Sequence, residues 1–437
     1  MVKFTSLPNE ILDAIYSYSD EETQNNLRVS YNVFLTKPSN KLLSLKKKSI
    51  INKDKEEFPE IFKELKNLEF LDLSINKIKV IPSSIQNFKN LEYLSLVNNN
   101  FEYLPAEIGK LTNLKTLNLN KNHLKSLPEE FGNLTNLEKL NIEGNQLTVL
   151  PNSIQNLKKL EFINLRHNKF KYFQTSLTFC INLNRILFND NELVTLPSSI
   201  GNLKSLTILN LNNNNLQSLC SEIGELTNLQ NLSVANNNLQ ILPKEISHLS
   251  NLTHLILNKN KIEILPIEIG DLINVTDLDL NYNKIKEIPE EIGHMTNLKN
   301  LVLSNNLIEK IPCGLFLLSN LIGLDLQYNK IKSIPEGINQ LTYLKRLNVY
   351  NNEIEDISMD IGELNNLCQL CLQHNKIKEL PRSIGNLTKL QLLELQYNEI
   401  EKLPFNVYHF PDIQHIDLSN NPYDNIGSVF NTNDYLF

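Results

Sequence analysis

The 437-residue chain has no tryptophan, three methionines and only 13 glycines. So little glycine excludes a collagen-like helix and a flexible Gly-rich polymer. A hydrophobic share of 41% is too high for a disordered chain. No run approaches about 18 uninterrupted apolar residues, so no membrane span is expected. Residues 1–6 lead into polar and charged positions rather than an apolar signal core, and no secretory signal is expected. Five cysteines, an odd number without terminal clusters, read as unpaired thiols in a reducing cytosol. The expected location is therefore cytoplasmic, or the host cytoplasm if the protein is a delivered bacterial effector.

Catalytic signatures are missing as well. Gly109-Lys110-Leu111 lacks the upstream Gly and following Ser/Thr of a phosphate-binding loop. There is no Gly-x-Ser-x-Gly elbow and no His-Glu-x-x-His. The chain ends 16 residues after Asn421, which leaves no room for an appended catalytic domain. Cys368-x-x-Cys371 with His374 offers three soft ligands, one short of a closed zinc site. Cys180 stands at an inward leucine position and reads as packing. The expectation is no enzyme, no cofactor and no metal. Charge argues the same way about nucleic acid: 42 Lys/Arg face 49 Asp/Glu, and the −7 divides into +1 for residues 1–67 and −8 for the rest. An acidic body repels phosphate.

What is present is one period. Leu68-x-x-Leu71-x-Leu73-x-x-Asn76 recurs in steps of 23 residues to Ile413-x-x-Ile416-x-Leu418-x-x-Asn421, sixteen times without insertion or deletion. Leu-x-Leu alternation has the period of a strand, with the leucines inward. The invariant Asn falls where the chain leaves the strand. There its amide can satisfy backbone groups of adjacent coils, so stacked copies predict an Asn ladder. The remainder of each unit, as in Leu104-Pro105-Ala106-Glu107-Ile108-Gly109-Lys110-Leu111, starts at a proline that fixes φ, which predicts a short turn or helical segment. One coil cannot bury its leucines alone; stacking does it. Gln174, Cys220 and Ser358 replace the proline and should alter the local turn without shifting the phase.

This pattern resembles leucine-rich repeats of the 23-residue type, found in intracellular Ras-scaffold proteins and their bacterial and plant counterparts. The resemblance implies an α/β repeat fold: a horseshoe solenoid with a concave parallel β-sheet that binds protein partners. Residues 45–67 read as a degenerate capping repeat, with Phe58-Pro59 one step before Ile81-Pro82 but Lys53 in the Asn slot. Residues 68–421 hold the sixteen repeats and 422–437 a C-terminal cap.

Residues 1–44 stand outside the period and predict a small helical module. Ser6 is a helix N-cap candidate, Pro8 lies in the first turn, and Ile11, Leu12 and Ile15 share a face. The order Leu7-Pro8-x-Glu10-Ile11-Leu12-x-x-Ile15, continued to Leu27-Arg28-Val29-Ser30, resembles an F-box. That resemblance implies docking of a Skp-type adaptor of a ubiquitin ligase through Leu7, Pro8, Ile11, Leu12 and Ile15. Ser19 and Gln24 stand at usual leucine positions of that family, and its later Trp is absent. The other reading of these helices is a structural cap over the first coil.

In Leu-x-x-Leu-x-Leu-x-x-Asn the outward positions are the third, fifth and seventh, with the eighth at the edge. Down these columns the C-terminal half collects Tyr282, Tyr328, Tyr350, His374 and Tyr397, with Asp279, Asp325, Glu394 and Asp417 in the fifth column and Arg346 in the third. Exposed aromatics among charges are usual anchors of protein interfaces. A second group, Lys139, Phe162, Arg166, His167 and Arg185, lies in repeats 4–6. The plainer reading is that such rings pad their neighbours. The two functions that follow are a substrate receptor for a ubiquitin ligase and a signalling scaffold of the Ras-group kind.

Overall fold

The computed structural model describes residues 42–44, 67–404, 407 and 410–422. The predicted helical module up to residue 41 and the cap beyond Pro422 lie outside the described residues. The chain forms two compact units, one through Leu216 plus Glu225–Leu229, the other Gln217–Gly224 plus Gln230 onward.

The first unit is a stack of parallel three-residue strands: β1 (Leu42–Ser44), β2 (Phe70–Asp72), β3 (Tyr93–Ser95), β4 (Thr116–Asn118), β5 (Lys139–Asn141), β6 (Phe162–Asn164), β7 (Arg185–Leu187) and β8 (Ile208–Asn210). From β2 onward each residue faces its counterpart 23 positions later, as Tyr93 faces Thr116. β1 differs, because Leu42 faces Phe70, a step of 28. A strand thus closes the segment read from sequence as helical, and the unit edge is extended backbone there.

The second unit repeats the plan with β9 (Asn231–Ser233), β10 (His254–Ile256), β11 (Asp277–Asp279), β12 (Asn300–Val302) and β13 (Gly323–Asp325), then β15 (Arg346–Asn348), β17 (Gln369–Cys371), β18 (Leu392–Glu394) and β19 (His415–Asp417). A two-strand pair, β14 (Ser333–Ile334) with β16 (Asp356–Ile357), lies off this sheet.

In both units the alternation works as predicted: the central residue of the strands, such as Leu117, Leu140 or Leu347, is buried. A buried leucine is worth roughly 1.5–3 kcal/mol, and each coil contributes several. The backs are not α-helical. They are five-residue 3-10 segments such as Ala106–Lys110, and no α-helix occurs among the described residues. A Cβ on Gly109 would collide with the carbonyl oxygen of Glu130 in the next coil, so close stacking of the backs demands glycine there.

The proline substitutions behave otherwise than expected. Thr175–Phe179, Ser221–Glu225 and Met359–Glu363 keep the full five-residue segment after Gln174, Cys220 and Ser358. Ser358 compensates by accepting a hydrogen bond from the Asp360 N–H at 3.2 Å. The altered turn is instead Ile338–Gln340, which follows a proline but has Gly337 at φ 93°.

The Asn ladder is realised as expected. Asn122, 4% exposed, donates to the carbonyls of Leu119 (2.9 Å) and Leu96 in the preceding coil (3.0 Å), while its Oδ1 accepts the Phe101 N–H at 3.2 Å. Asn352 repeats this in the second unit with Val349, Leu326 and Ile331. A second, exposed Asn series escaped the sequence reading: Asn136 donates to Thr112 O (2.8 Å) and Asn320 to Thr296 O (2.9 Å). The five cysteines are free, and Cys180 is buried in the core as expected, its thiol pushed up to about 12 by burial. No helix among the described residues is long and apolar enough to cross a membrane.

Candidate functional site

The eighth position of each coil, just before the ladder Asn, has positive φ. Asn98, Gly144, Asn213, Asn236, Asn305 and Asn351 occupy it with little strain. Tyr282 (φ 51°), Tyr328 (54°), His374 (54°) and Tyr397 (59°) occupy it too. A bulky residue there costs on the order of 1 kcal/mol. The conformation is imposed by inter-coil bonds, such as Tyr328 N–H to the Tyr350 carbonyl at 2.8 Å. Ile75, Lys121 and His167 in the first unit and Lys259 in the second take the same conformation, so coil geometry overrides local preference throughout, and the second unit differs in placing rings at four of these positions.

These side chains form a continuous row. Tyr328 meets Tyr350 edge-on at 4.9 Å between ring centroids, Tyr350 meets His374 at 5.3 Å, and His374 stacks on Tyr397 at 4.3 Å. The Tyr328 hydroxyl donates to the Tyr350 hydroxyl at 3.1 Å. Tyr328 and Tyr397 remain 40% and 51% exposed. Tyr282 is separate: one coil, bearing Asn305, lies between it and the row, and Lys259 Nζ stands 6.0 Å from its ring centroid.

Beside the rings runs the fifth column, in the strand register Asp279, Val302, Asp325, Asn348, Cys371, Glu394, Asp417. Burial raises the Asp279 and Asp325 carboxyls above their ordinary value, and the charge of Asp279 pushes Asp325 further. Neither has an ion-pair partner among the described residues. Each instead accepts the backbone N–H two residues on, Asn281 for Asp279 and Gln327 for Asp325, both at 3.1 Å. Burial first, then Glu394 and Asp325, push the Cys371 thiol to about 11, so it is a neutral thiol rather than a nucleophile. Cys368 lies apart, its Sγ 3.4 Å from the Asn366 carbonyl.

Of the third column in this unit, the sequence reading named Arg346 and missed its neighbours. His254 Nε2 lies 3.5 Å from Asp277, Asn300 donates to Asp277 at 2.7 Å, and Arg346 reaches across Gly323 to Asn300 Oδ1 at 3.3 Å. Burial pushes the Asp277 carboxyl up, but hydrogen bonds from Thr276 and Asn300 and the nearby His254 outweigh it and leave it below its ordinary value. A Cβ at Gly323 would sit 3.0 Å from Arg346 Nη2, so the glycine makes room for the guanidinium. The signal was in the sequence, since His, Asp, Asn, Gly and Arg fall at one position of five successive repeats. His415 was also missed: its Nε2 is 3.4 Å from Glu394, and with Asp417 the three groups' donor atoms lie within 4.8 Å.

In the first unit Lys139, Phe162 and Arg185 are in register on adjacent strands, and the Arg185 guanidinium lies 5.7 Å from the Phe162 ring centroid. His167 faces Asp190 at 3.5 Å, and Arg166 is half-buried with Nε unpartnered. Phe70 and Tyr93, stacked at 4.3 Å, form an aromatic pair not singled out from sequence. Leu7, Pro8, Ile11, Leu12 and Ile15 lie outside the described residues.

A family model described as a leucine-rich repeat region matches residues 84–186 and 266–374, and a second, described as leucine rich repeat, matches 58–101 and 204–262. A leucine-rich repeat protein of Leptospira interrogans is 35% identical, with TM-score 0.72, covering 83% of this chain and 94% of its own. A plant peptide hormone receptor solved with its peptide is 30% identical, with TM-score 0.72, covering 84% of this chain. Toll from Drosophila, solved in complex with Spatzle, is 27% identical, with TM-score 0.72 and the same coverage. The chain spans 61% and 52% of these two receptor chains. No curated protein matches the chain.

Proposed function

Because the chain belongs to the leucine-rich repeat family, whose members generally serve as non-catalytic scaffolds for protein–protein interaction, we propose that it is a partner-binding protein whose recognition site is the open sheet face of the second unit. The observation that carries this reading is the ring row Tyr328–Tyr350–His374–Tyr397, three of whose four members occupy strained positive-φ positions. Aliphatic and basic residues hold the same positive-φ position in other coils, so what supports this reading is the unbroken run of ring contacts on an exposed row. Aromatic anchors in such rows cost about 2 kcal/mol or more each when truncated. Combining Tyr328→Ala, Tyr350→Ala and Tyr397→Ala should abolish capture of the protein's partner in affinity purification with mass spectrometry. Circular dichroism should remain unchanged, and undiminished capture by a folded triple variant refutes the site.

The F-box-like order of residues 7–20 supports a finer reading, in which the captured protein is a target presented to a ubiquitin ligase through a Skp-type adaptor. The adaptor contacts would be Leu7, Pro8, Ile11, Leu12 and Ile15, and the location cytoplasmic. The competing reading is a Ras-group-like signalling scaffold whose N-terminal segment is only a cap. Purified adaptor separates them. The full chain should retain it, a form beginning at Leu42 that keeps β1 should not, and equal or absent retention by both removes the ligase reading.

A further inference from the structure

Three repeats carry the same short unit, an acid at the fifth position and a tyrosine at the eighth: Asp279-Leu-Asn-Tyr282, Asp325-Leu-Gln-Tyr328 and Glu394-Leu-Gln-Tyr397. Strand geometry sends the acid to the open face, and the exposed tyrosine follows it in the positive-φ turn of the same coil. Between them, at the seventh position, stands an amide. The side-chain oxygens of Asn281 and Gln396 are buried and accept no hydrogen bond from the described residues. Asn258 and Gln373 of the same column share this, so unpartnered acceptors extend along the face, while Gln327 Nε2 donates to Asp325 at 3.2 Å. Asp279 and Asp325 are half-buried without counter-charges, an arrangement that is unfavourable in the free protein and is relieved by a cation. Arg346 does not supply it, because its guanidinium is turned to Asn300. That these rings take a cation is visible within the chain, where the Lys259 ammonium stands over Tyr282. Glu394 differs in having a polar neighbour, His415 Nε2 at 3.4 Å.

We propose that this face takes an extended, arginine- or lysine-bearing segment of a protein partner, each cationic side chain lying between the acid and the tyrosine of one such unit. The proposal rests on the reading of this face as the recognition site and names the chemistry of what it binds. The units are two and three coils apart. At about 4.8 Å per strand the units lie about 10 and 14 Å apart, and at about 3.3 Å per residue of extended chain they fit basic residues roughly four positions apart, an even step that keeps alternating side chains on one side. Arginine suits the site best, since its planar guanidinium both bridges a carboxylate and stacks on a ring.

The probe is a fluorescent twelve-residue Gly/Ser peptide with arginines at positions 1, 5 and 9, measured by anisotropy against the full chain. Two control peptides carry the three arginines contiguously, or glutamates at the same positions. Tightest binding to the spaced-arginine peptide is expected, weakening as salt rises. A combined Asp279→Asn, Asp325→Asn and Glu394→Gln variant keeps the acceptors that hold the backbone N–H groups and should lose at least tenfold. Equal binding of the glutamate or contiguous peptide, or an unaffected triple variant, overturns the proposal. The two readings fail separately. If the tyrosine-to-alanine variant loses its captured partner while the neutralised variant holds it fully, the face is the site but the partner is not a basic segment.

Discussion

At the scale of single residues, the carboxylates of the open face set function against stability. Asp325 binds its proton more tightly in the folded chain than in the unfolded one, because burial and the charge of Asp279 both raise its pKa. A raised folded value means that the ionised form destabilises the fold at neutral pH. That penalty disappears as pH falls through the raised value toward the ordinary 3.8. Asp325→Asn preserves the bond from the Gln327 N–H and removes the charge. It should raise the melting temperature at pH 7, with the gain shrinking as pH approaches 4. A lower melting temperature at pH 7, or a gain indifferent to pH, rules out the idea that the fold tolerates an unfavourable charge here. A binding surface that sacrifices stability in this way follows a common pattern.

At the scale of the coil, the ladder asparagine does the most. Replacing Asn122 by Ala leaves the buried Phe101 N–H without its side-chain partner and takes one of two amide donors from the carbonyls of Leu96 and Leu119, which keep Asn99 and Asn145. The orphaned N–H costs about 1–3 kcal/mol and the two lost carbonyl bonds add to it, so Asn122→Ala should destabilise by about 2–4 kcal/mol in denaturant titration. Asn136→Ala, which removes only exposed bonds, to Thr112 O and from Lys159 Nζ, should cost under about 1 kcal/mol. Equal losses at both positions contradict this division of labour. Leucine alternation, ladder and phase were legible in the sequence because each depends on spacing within one coil. The ring row was legible as a column but not as a contact chain, since Tyr350 sits at the seventh position and reaches rings at the eighth in neighbouring coils. The Arg346–Asn300 bond spans two coils over a glycine, a relation that column reading does not display. Losing proline leaves the five-residue segment intact at Gln174, Cys220 and Ser358. At Ser358 it also frees an N–H that bonds the Ile334 carbonyl and a hydroxyl that caps the turn, and the shortened turn lies instead at Gly337.

At the scale of the whole molecule, a chain built of coils that touch mainly their neighbours should lose stability locally rather than all at once. Phe188 tests this. It is buried in the first unit, packed edge-on to Phe170 at 5.2 Å and stacked near Phe173 at 5.3 Å, so one side chain joins adjacent coils. Phe188→Ala removes those contacts and leaves a cavity, a loss of about 3–5 kcal/mol. In a cooperative globular domain that loss would lower amide protection throughout. In stacked coils it should fall chiefly on the backbone bonds of its own neighbourhood, such as Leu165 N–H to the Leu187 carbonyl and Phe188 N–H to the Asn210 carbonyl. Bonds of the second unit, such as Tyr328 N–H to the Tyr350 carbonyl, should keep their exchange rates, and the ring row with them. Hydrogen exchange read by mass spectrometry distinguishes the two. Loss of protection spread evenly over both units means that the molecule unfolds as one cooperative body, and a partner bound on the second unit would then stabilise the first as well. Loss confined to the first unit means that the recognition face can stay formed while distant coils open, so substitutions far from the rings leave binding intact.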